Sequence, residues 1–528
     1  MKSRIRRILM LSVLVLVLVV SLLSIPACGG GSSGEITYTI ADTWGDWGYP
    51  SPYAHYPRGP GYVRMSFIFD TLVWKDEDEF IPALAESWEY VAAENAYVFS
   101  LRDDVTWHDG TDFTAEDVAF TVDYVKVHPS PFITLIGPTG VTDTEVIDDY
   151  TIKLYLEQPY APFLNDVAGT LAILPRHIWE GVENPEEFTG QEAVIGTGPY
   201  QLADYNQAQG SYLYEAYDDY YLGKPEVDRL IFVKVSEQMI PAALEQGSAD
   251  AGSIPPEMVE DMEDSGFTVL RCPYGFNTKL MINHTEEPLS SKEFRQALAY
   301  AIDREALVET SQRGYALAGS PGMIPTDSEW YNPDIEMYEY NPAKAQQLLE
   351  GLGYQLEDGH FTKDGKELKL ELITEIMFKE AGQFVEQQLE DFGIEVDFLT
   401  LEGTTVDARV LNWQFDLSIY GHGGLYEPSI LPKVITGEGF NSARYTENET
   451  LNQLLEDQLN EMDTNARREL VYQIQEIYAD ELPALTLYYP SWYWANDGSV
   501  SMYYTEGGVA SGIPVANNKM AFLEYQEE

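Results

Sequence analysis

The hydrophobic positions along the chain switch repeatedly between a period of two and a period near 3.6. Ile36, Tyr38 and Ile40 alternate with polar neighbours and predict a strand, and Leu230 to Val235 is an apolar run of strand length. Val118, Val122 and Val125 share one helical face behind Thr114 and Asp117, a spacing that caps a helix start. Phe294, Leu298 and Ile302 form a second stripe. Asn341-Pro342 opens a helix and Gly351 closes it, because Pro suits the first helical position and Gly the position past the end. Leu368, Leu370 and Leu372 then predict a strand, Val385, Leu389 and Phe392 a helix stopped by Gly393, and Ile394, Val396 and Phe398 the next strand. Leu470, Ile474 and Ile477 give a late helix, after which Leu482 to Tyr489 returns to strand character. Such alternation predicts an α/β fold.

The first residues follow another logic. Lys2, Arg4, Arg6 and Arg7 precede an almost unbroken apolar run from Ile8 to Ile25, which reads as an export signal whose cations stay inside while the run inserts. The run ends at Ile25-Pro26-Ala27-Cys28, which resembles a bacterial lipobox, where the Cys is diacylated and becomes the new N-terminus. An uncleaved transmembrane anchor is the alternative; in both cases the rest of the chain faces outward. Gly29 to Gly34 reads as a flexible tether, and the G-x-S-x-G within it lacks the strand and helix that a nucleophile elbow needs. With Cys28 lipidated, Cys272 has no partner and is expected to be a small buried hydrophobe.

Charge narrows the function classes. The 528 residues carry 31 Lys+Arg against 87 Asp+Glu, a formal net charge of −56, and the four leader cations only mask part of the excess. A hydrophobic content of 45% places that charge on a folded protein rather than a disordered polyanion. The field repels phosphate backbones, which excludes nucleic acid as a partner. The 7 histidines are scattered without H-E-x-x-H or short pair spacing, so no preformed protein-only metal site is expected. Asp76-Glu77-Asp78-Glu79 lacks the spaced ligands and central Gly of a calcium loop and reads as a solvated turn. No phosphate-binding loop, dinucleotide fingerprint or nucleophile constellation stands out, nor does any one carboxylate pair suited to glycoside hydrolysis. The residues therefore point to binding without a cofactor.

Val98 to Val125, VFSLRDDVTWHDGTDFTAEDVAFTVDYV, resembles the signature segment of the family 5 extracellular solute-binding proteins, the peptide and nickel receptors of ABC importers. The similarity continues in order through IPALAESWE (81–89), QPYAPFL (158–164), IGTGPYQL (195–202), YYLGKPEVDRLIF (220–232), FRQALAYAIDREALV (294–308) and YNPAKAQQLLEGLGY (340–354). Within the signature, Trp107-His108-Asp109-Gly110 is expected to be a tight turn with His108 in a structural role, and Gly196-Thr197-Gly198-Pro199 a turn rather than a phosphate cradle.

The resemblance implies a two-lobed periplasmic-binding-protein clamshell of type II with an additional third domain. Lobe one would combine 36–80, 195–275 and 490–528, the extra domain 81–194, and lobe two 276–489, with two chain crossings as the hinge. It implies a monomer that performs no chemistry, held on the extracytoplasmic face of the cell membrane by lipid on Cys28, or in the periplasm where an outer membrane exists. Its partners would be a small peptide or metal-chelate solute and the permease and ATPase subunits of an ABC importer. Peptide receptors of the family place an Asp before Pro in a Gly-rich loop to receive the ligand ammonium. Here that loop is Gly421-His422-Gly423-Gly424-Leu425-Tyr426-Glu427-Pro428, so Glu427 takes the Asp position. The Leu-Tyr-acid-Pro run and NTKLMIN (277–283) are more similar to nickel and metallophore receptors, for which His422 could add a ligand to the chelator's own. Tyr53, His55, Tyr56 and Arg58 are expected to form the opposite wall, with Arg58 meeting a ligand carboxylate or, equally, a rim acid. The candidate contacts are thus Tyr56, Arg58, His422, Tyr426, Glu427, Trp413 and Trp492, and replacing Glu427 by Ala is expected to weaken binding without unfolding. Trp44, Trp47, Trp413, Trp492 and Trp494 keep an oligosaccharide receptor of the same fold open, and a secreted hydrolase is the rival from another class.

Overall fold

Tyr38 and Ile40 are buried on one side of the strand Thr37–Asp42, which lies in the middle of a seven-stranded sheet. In this computed structural model the described residues are 34–56, 59–77, 79–129, 140–439, 441–505 and 514–526. The expected leader, the expected lipid acceptor Cys28 and the candidate contact Arg58 lie outside them. The sheet runs in the order Thr268–Arg271, Tyr493–Asn496, Ala251–Ile254, Thr37–Asp42, Arg229–Lys234, Ser211–Ala216 and Tyr200–Asn206. Its central strands, Ala251–Ile254, Thr37–Asp42 and Arg229–Lys234, are parallel. Their carboxyl ends share one edge, where open α/β sheets place ligands.

A six-stranded sheet follows the order Ala316–Ala318, Ala484–Pro490, Phe276–Ile282, Leu417–Gly423, Lys369–Glu375 and Glu395–Leu401. The strand-helix-strand pattern read at 368–398 is realised as Lys369–Glu375, Lys379–Phe392 and Glu395–Leu401, with Leu370 opposite Val396 in parallel register. Gly393, at φ +108°, ends the helix in the left-handed conformation that glycine adopts without a Cβ penalty. Leu368, Leu370, Leu372, Val385, Leu389, Ile394 and Val396 share one buried cluster, so the period-two and period-3.6 stripes meet in a single core. Chain segments 272–275 and 491–492 connect the two sheets. The molecule is a two-lobed α/β protein of the type II class.

A separate four-stranded antiparallel sheet, Ala85–Val91, Ala96–Leu101, Thr151–Leu156 and Val141–Asp148, packs on the helix Ala115–Val127. The Asp117 carboxylate accepts the Thr114 N–H at 2.9 Å, as the helix-start pattern requires. Gly110 has φ +83° and its N–H bonds the Trp107 carbonyl, closing the expected turn. His108 is structural: its Nε2 lies 2.9 Å from the Gly198 carbonyl, and burial lowers its pKa to about 4. Gly196 and Gly198 serve close approach, since a Cβ on Gly196 would sit 2.0 Å from the Ile68 carbonyl oxygen.

Two boundaries shift from the sequence pattern. The helix Pro342–Gly351 includes Gly351, and the left-handed break falls at Gly353, φ +90°. Leu482 caps the helix Thr464–Glu481 at φ +45° instead of opening the strand, which runs Ala484–Pro490. Cys272 is buried, its thiol pKa pushed up to about 12 chiefly by desolvation, in keeping with an inert hydrophobe.

Candidate functional site

The seven-stranded sheet ends its first strand at Asp42, and this carboxylate organises the loop beyond it. Asp42 accepts the Trp44 N–H at 2.8 Å, the Trp47 indole Nε1–H at 2.9 Å and the Arg64 guanidinium at 2.5 Å. Arg64 is buried with its guanidinium 3.5 Å from the Phe232 ring centroid, so it is neutralised on one side and stacked on the other. Held this way, Trp47 lies between Trp44 and Tyr56, with centroid separations of 5.7 and 6.1 Å. Trp44 is 72% and Tyr56 52% exposed, unusual for large aromatic rings, and they give this lobe an aromatic face. Tyr53 and His55 turn inward: the Tyr53 hydroxyl donates to the His128 carbonyl at 2.8 Å, and His55 Nδ1 lies 2.8 Å from the Ser51 carbonyl. Burial lowers the His55 pKa to about 4.

The six-stranded sheet presents the end of strand Leu417–Gly423 and the turn after it. Gly421 has no room for a side chain, since a Cβ would lie 2.6 Å from the Phe276 ring. Phe276 in turn meets Trp492 edge-on at 5.6 Å, beside one of the two crossings. Gly424 adopts φ +86° and turns the chain back, so the Tyr426 hydroxyl accepts the Tyr274 N–H at 3.0 Å and donates to Asp327 at 3.0 Å. His422, Tyr426 and Trp492 therefore gather where the lobes join.

Glu427 is held by its own protein. Its Oε1 accepts Arg467 Nη2 at 2.5 Å and the Ser429 N–H at 3.1 Å, with both side chains of the pair largely buried. Arg467 also donates to the Gln458 carbonyl at 2.9 Å and lies 5.1 Å from the Trp330 ring centroid. A second carboxylate, Asp166, approaches from the segment Leu164–Ala168 and accepts the Tyr160 hydroxyl at 2.6 Å. Burial and the charge of Glu427 raise the Asp166 pKa to about 6. Replacing Glu427 by Ala would leave Arg467 buried without its carboxylate, a change that typically costs about 3–5 kcal/mol of stability.

On the same face of the six-stranded sheet Lys279 is fully buried and donates to the Asn441 carbonyl at 2.6 Å. Burial alone lowers its pKa to about 7. Neither ring nitrogen of the buried His422 has a hydrogen-bond partner among the described residues. Desolvation, with Lys279 and Lys433 as neighbouring charges, holds His422 well below the usual imidazole range, so it is neutral.

Of the expected contacts, the structure brings His422, Tyr426, Glu427 and Trp492 to the junction and Tyr56 to the aromatic face of the other lobe. Trp413 is not brought there. It sits at φ +53° in the turn before strand Leu417–Gly423, at the end away from His422, packed 5.5 Å from Phe415 and 5.1 Å from His284. A seven-residue strand separates the two ends by about 20 Å. The sequence reading missed Lys279, Asp166 and Arg467. Lys279 ends the polar run Asn277-Thr278-Lys279, which carries no periodic signal of burial, and Asp166 and Arg467 are far from Glu427 in sequence. Among the described residues no group of three or more His, Cys, Asp or Glu could hold a metal ion, and no helix is long and apolar enough to cross a membrane.

Residues 79–430 match the family of bacterial extracellular solute-binding proteins, family 5 Middle. The chain is 27% identical over 440 residues to the dipeptide-binding protein of Escherichia coli K12, covering 78% of this chain and 81% of that one. It is 28% identical over 437 residues to the oligopeptide-binding protein AppA of Bacillus subtilis, covering 78% of each. The structure of NikZ from Campylobacter jejuni in complex with Ni(L-His) superposes with a TM-score of 0.76 at 24% identity, over 93% of this chain and all of that one. A family match over well more than half the chain, on a two-lobed fold whose glycine-rich turn lies at the junction, settles the assignment: the chain belongs to the family 5 bacterial extracellular solute-binding proteins.

Proposed function

We propose that the protein captures a small peptide, or a peptide-like or nickel-chelate solute, between its two lobes and delivers it to the permease of an ABC importer. The observation that carries this reading is that each of two lobes joined by two chain crossings presents a prepared surface at its strand ends. One is the Trp44, Trp47 and Tyr56 face pinned by Asp42; the other is the His422 to Glu427 turn. Both stand at strand ends, so a solute touching both would stabilise the closed arrangement over an open one. Lobe one would comprise 36–80, 195–275 and 490–528, and lobe two 276–489. The extra domain, 81–194, would brace the site through Asp166.

The contacts we assign are Tyr56, Arg58, His422, Tyr426 and Trp492, with Glu427 acting while paired to Arg467. Lipid on Cys28 would tether a monomer to the outer face of the membrane. Dipeptide and oligopeptide specificity in the curated relatives favours the peptide branch. Native mass spectrometry of the protein as purified tests the reading: a co-purifying peptide or nickel-chelate mass supports it, and a hexose ladder would move the assignment to oligosaccharides. Sustained product release from peptides or glycans by the purified protein would overturn the receptor reading.

A further inference from the structure

Segment 158–168 packs with the four-stranded sheet and also touches the six-stranded lobe. Tyr160, Phe163, Val167 and Ala168 share the buried cluster of that sheet, and Leu459 and Met462 pack against the same cluster from outside it. The helices Glu449–Asn460 and Thr464–Glu481, at whose junction these two residues lie, bury Leu451, Leu454, Val471 and Ile474 with Tyr489 of the six-stranded sheet. Across the contact the Ala161 N–H donates to the Leu459 carbonyl at 2.7 Å. The contact is non-covalent. The chain enters the four-stranded sheet from the seven-stranded lobe and returns to that lobe afterwards, and it reaches the six-stranded sheet only through 272–275 and 491–492. The contact can therefore part while both crossings stay in place.

Two carboxylates and one guanidinium are enclosed at this contact. Glu427, in the turn after Leu417–Gly423, is paired with Arg467 of the helix Thr464–Glu481. Asp166, buried on the facing segment, accepts the Tyr160 hydroxyl at 2.6 Å and the Asn165 amide at 2.9 Å, both neutral donors. The groups that face Asp166 are thus Tyr160 and Asn165 on its own segment, Glu427 and Ser429 on the turn and, through Glu427, Arg467. Arg467 neutralises one of the two acids, so ionising both leaves a net negative charge where water is excluded. Enclosed like charges disfavour the second ionisation, and parting the contact returns Asp166 to solvent and removes that penalty.

We propose that Asp166 and Glu427 form a proton-operated latch: with a proton on Asp166 the four-stranded domain grips the six-stranded lobe and holds the clamshell closed, and loss of that proton loosens the grip. Its role in retaining a solute rests on the receptor reading, but the latch itself is a property of the contact and is measurable without a solute. The direction follows from where the proton is bound more tightly. Burial and the Glu427 charge raise the Asp166 pKa to about 6 while the contact is made, against about 4 for a solvated carboxylate. The closed form therefore binds more protons, so the grip is full below about pH 4 and is lost as pH rises through about 6.

The test is amide hydrogen exchange of the purified protein at pH 5 and pH 7.5, read by mass spectrometry and corrected for the intrinsic pH dependence of exchange. The reporter is the segment holding the Ala161 N–H, whose bond to Leu459 spans the contact. The strand Phe276–Ile282 is the internal reference for global opening. In the wild type, protection of the reporter relative to the reference should fall about tenfold between pH 5 and pH 7.5, as a proton held two pH units more tightly requires. Asp166→Asn, neutral at both values, should keep its protection unchanged. Lys279, which also titrates near pH 7, is present in both proteins, so the difference between them isolates Asp166. Tyr160→Phe removes a donor to the ionised carboxylate and should move the wild-type transition to higher pH, which provides a second reading if Asp166→Asn fails to fold. Wild-type protection that is equal at the two pH values overturns the latch, as does a full tenfold fall in folded Asp166→Asn or an unmoved transition in Tyr160→Phe. None of these results bears on the receptor reading, which stands or falls on the co-purifying solute.

Discussion

Each lobe pins its site-facing loop with a buried arginine-carboxylate pair, and the two pairs are nearly the same at the point of contact. Arg64 meets Asp42 at 2.5 Å in one lobe, and Arg467 meets Glu427 at 2.5 Å in the other. Their surroundings differ. Asp42 has two further donors, the Trp44 amide and the Trp47 indole, and no second acid presses on it among its recorded partners. Glu427 shares its neighbourhood with Asp166, which burial and the Glu427 charge push up to about 6. The same pair is thus a fixed anchor where aromatic rings and neutral donors surround it. Where another carboxylate stands beside it, the raised pKa belongs to that neighbour, Asp166.

The largest test of this contrast is to remove each arginine. Arg467→Met strands the buried Glu427 carboxylate beside Asp166 and should lower unfolding stability in urea by about 3–5 kcal/mol at pH 7. Arg64→Met should cost distinctly less, because Asp42 keeps its two neutral donors. Equal losses would break the comparison.

Acid titration should separate the regions next, by the sign of the slope. Burial of His55, beside the aromatic face, lowers its pKa from the ordinary imidazole value of 6.5 to about 4 in the folded protein. Its neutral form is favoured in the folded state, so stability is full above pH 6.5 and falls as pH drops through 4, by about 3 kcal/mol over the window. Unfolding midpoints of His55→Gln should lose that part of the acid sensitivity. An unchanged acid limb would remove His55 as its source.

Asp166 works in the other direction and over a slightly smaller span. Its folded pKa is raised, so its contribution is present in full below the unfolded value near 4 and is lost as pH rises through about 6. The groups facing it are Tyr160, Asn165, Glu427, Ser429 and, through Glu427, Arg467. Asp166→Asn should therefore gain up to about 3 kcal/mol at pH 8 relative to wild type and little at pH 4. A gain independent of pH would mean that the carboxylate charge is not the cause.

The smallest effect on folding is expected at Trp44. At 72% exposure it contributes little to the core, so Trp44→Ala should change stability by no more than about 0.5 kcal/mol. Retention of a mixed tripeptide pool by the solute-stripped protein after gel filtration should nevertheless fall. Unchanged retention would sharpen the comparison by confining recognition to the lobe that carries His422.

The sequence by itself determined the local architecture. Period and punctuation suffice where a stripe meets a single core, and for this reason the strand-helix-strand unit at 369–401, the capped helix at 115–127 and the turn at Gly110 stand where the pattern put them. The conserved order of family segments carried the fold class and the place of the glycine-rich turn. Tertiary structure alone decided the electrostatics of the site. Whether an acid is free or paired depends on which distant segment packs against it: Glu427 drew its partner from 40 residues away, and Asp166 came from the segment Leu164–Ala168. Trp413 was carried to the far end of its strand, because strand direction and not composition sets which end a residue occupies. Lys279, for which the sequence carried no signal of burial, was covered by the segment that includes Asn441, because only tertiary packing decides which polar strand positions lose their solvent.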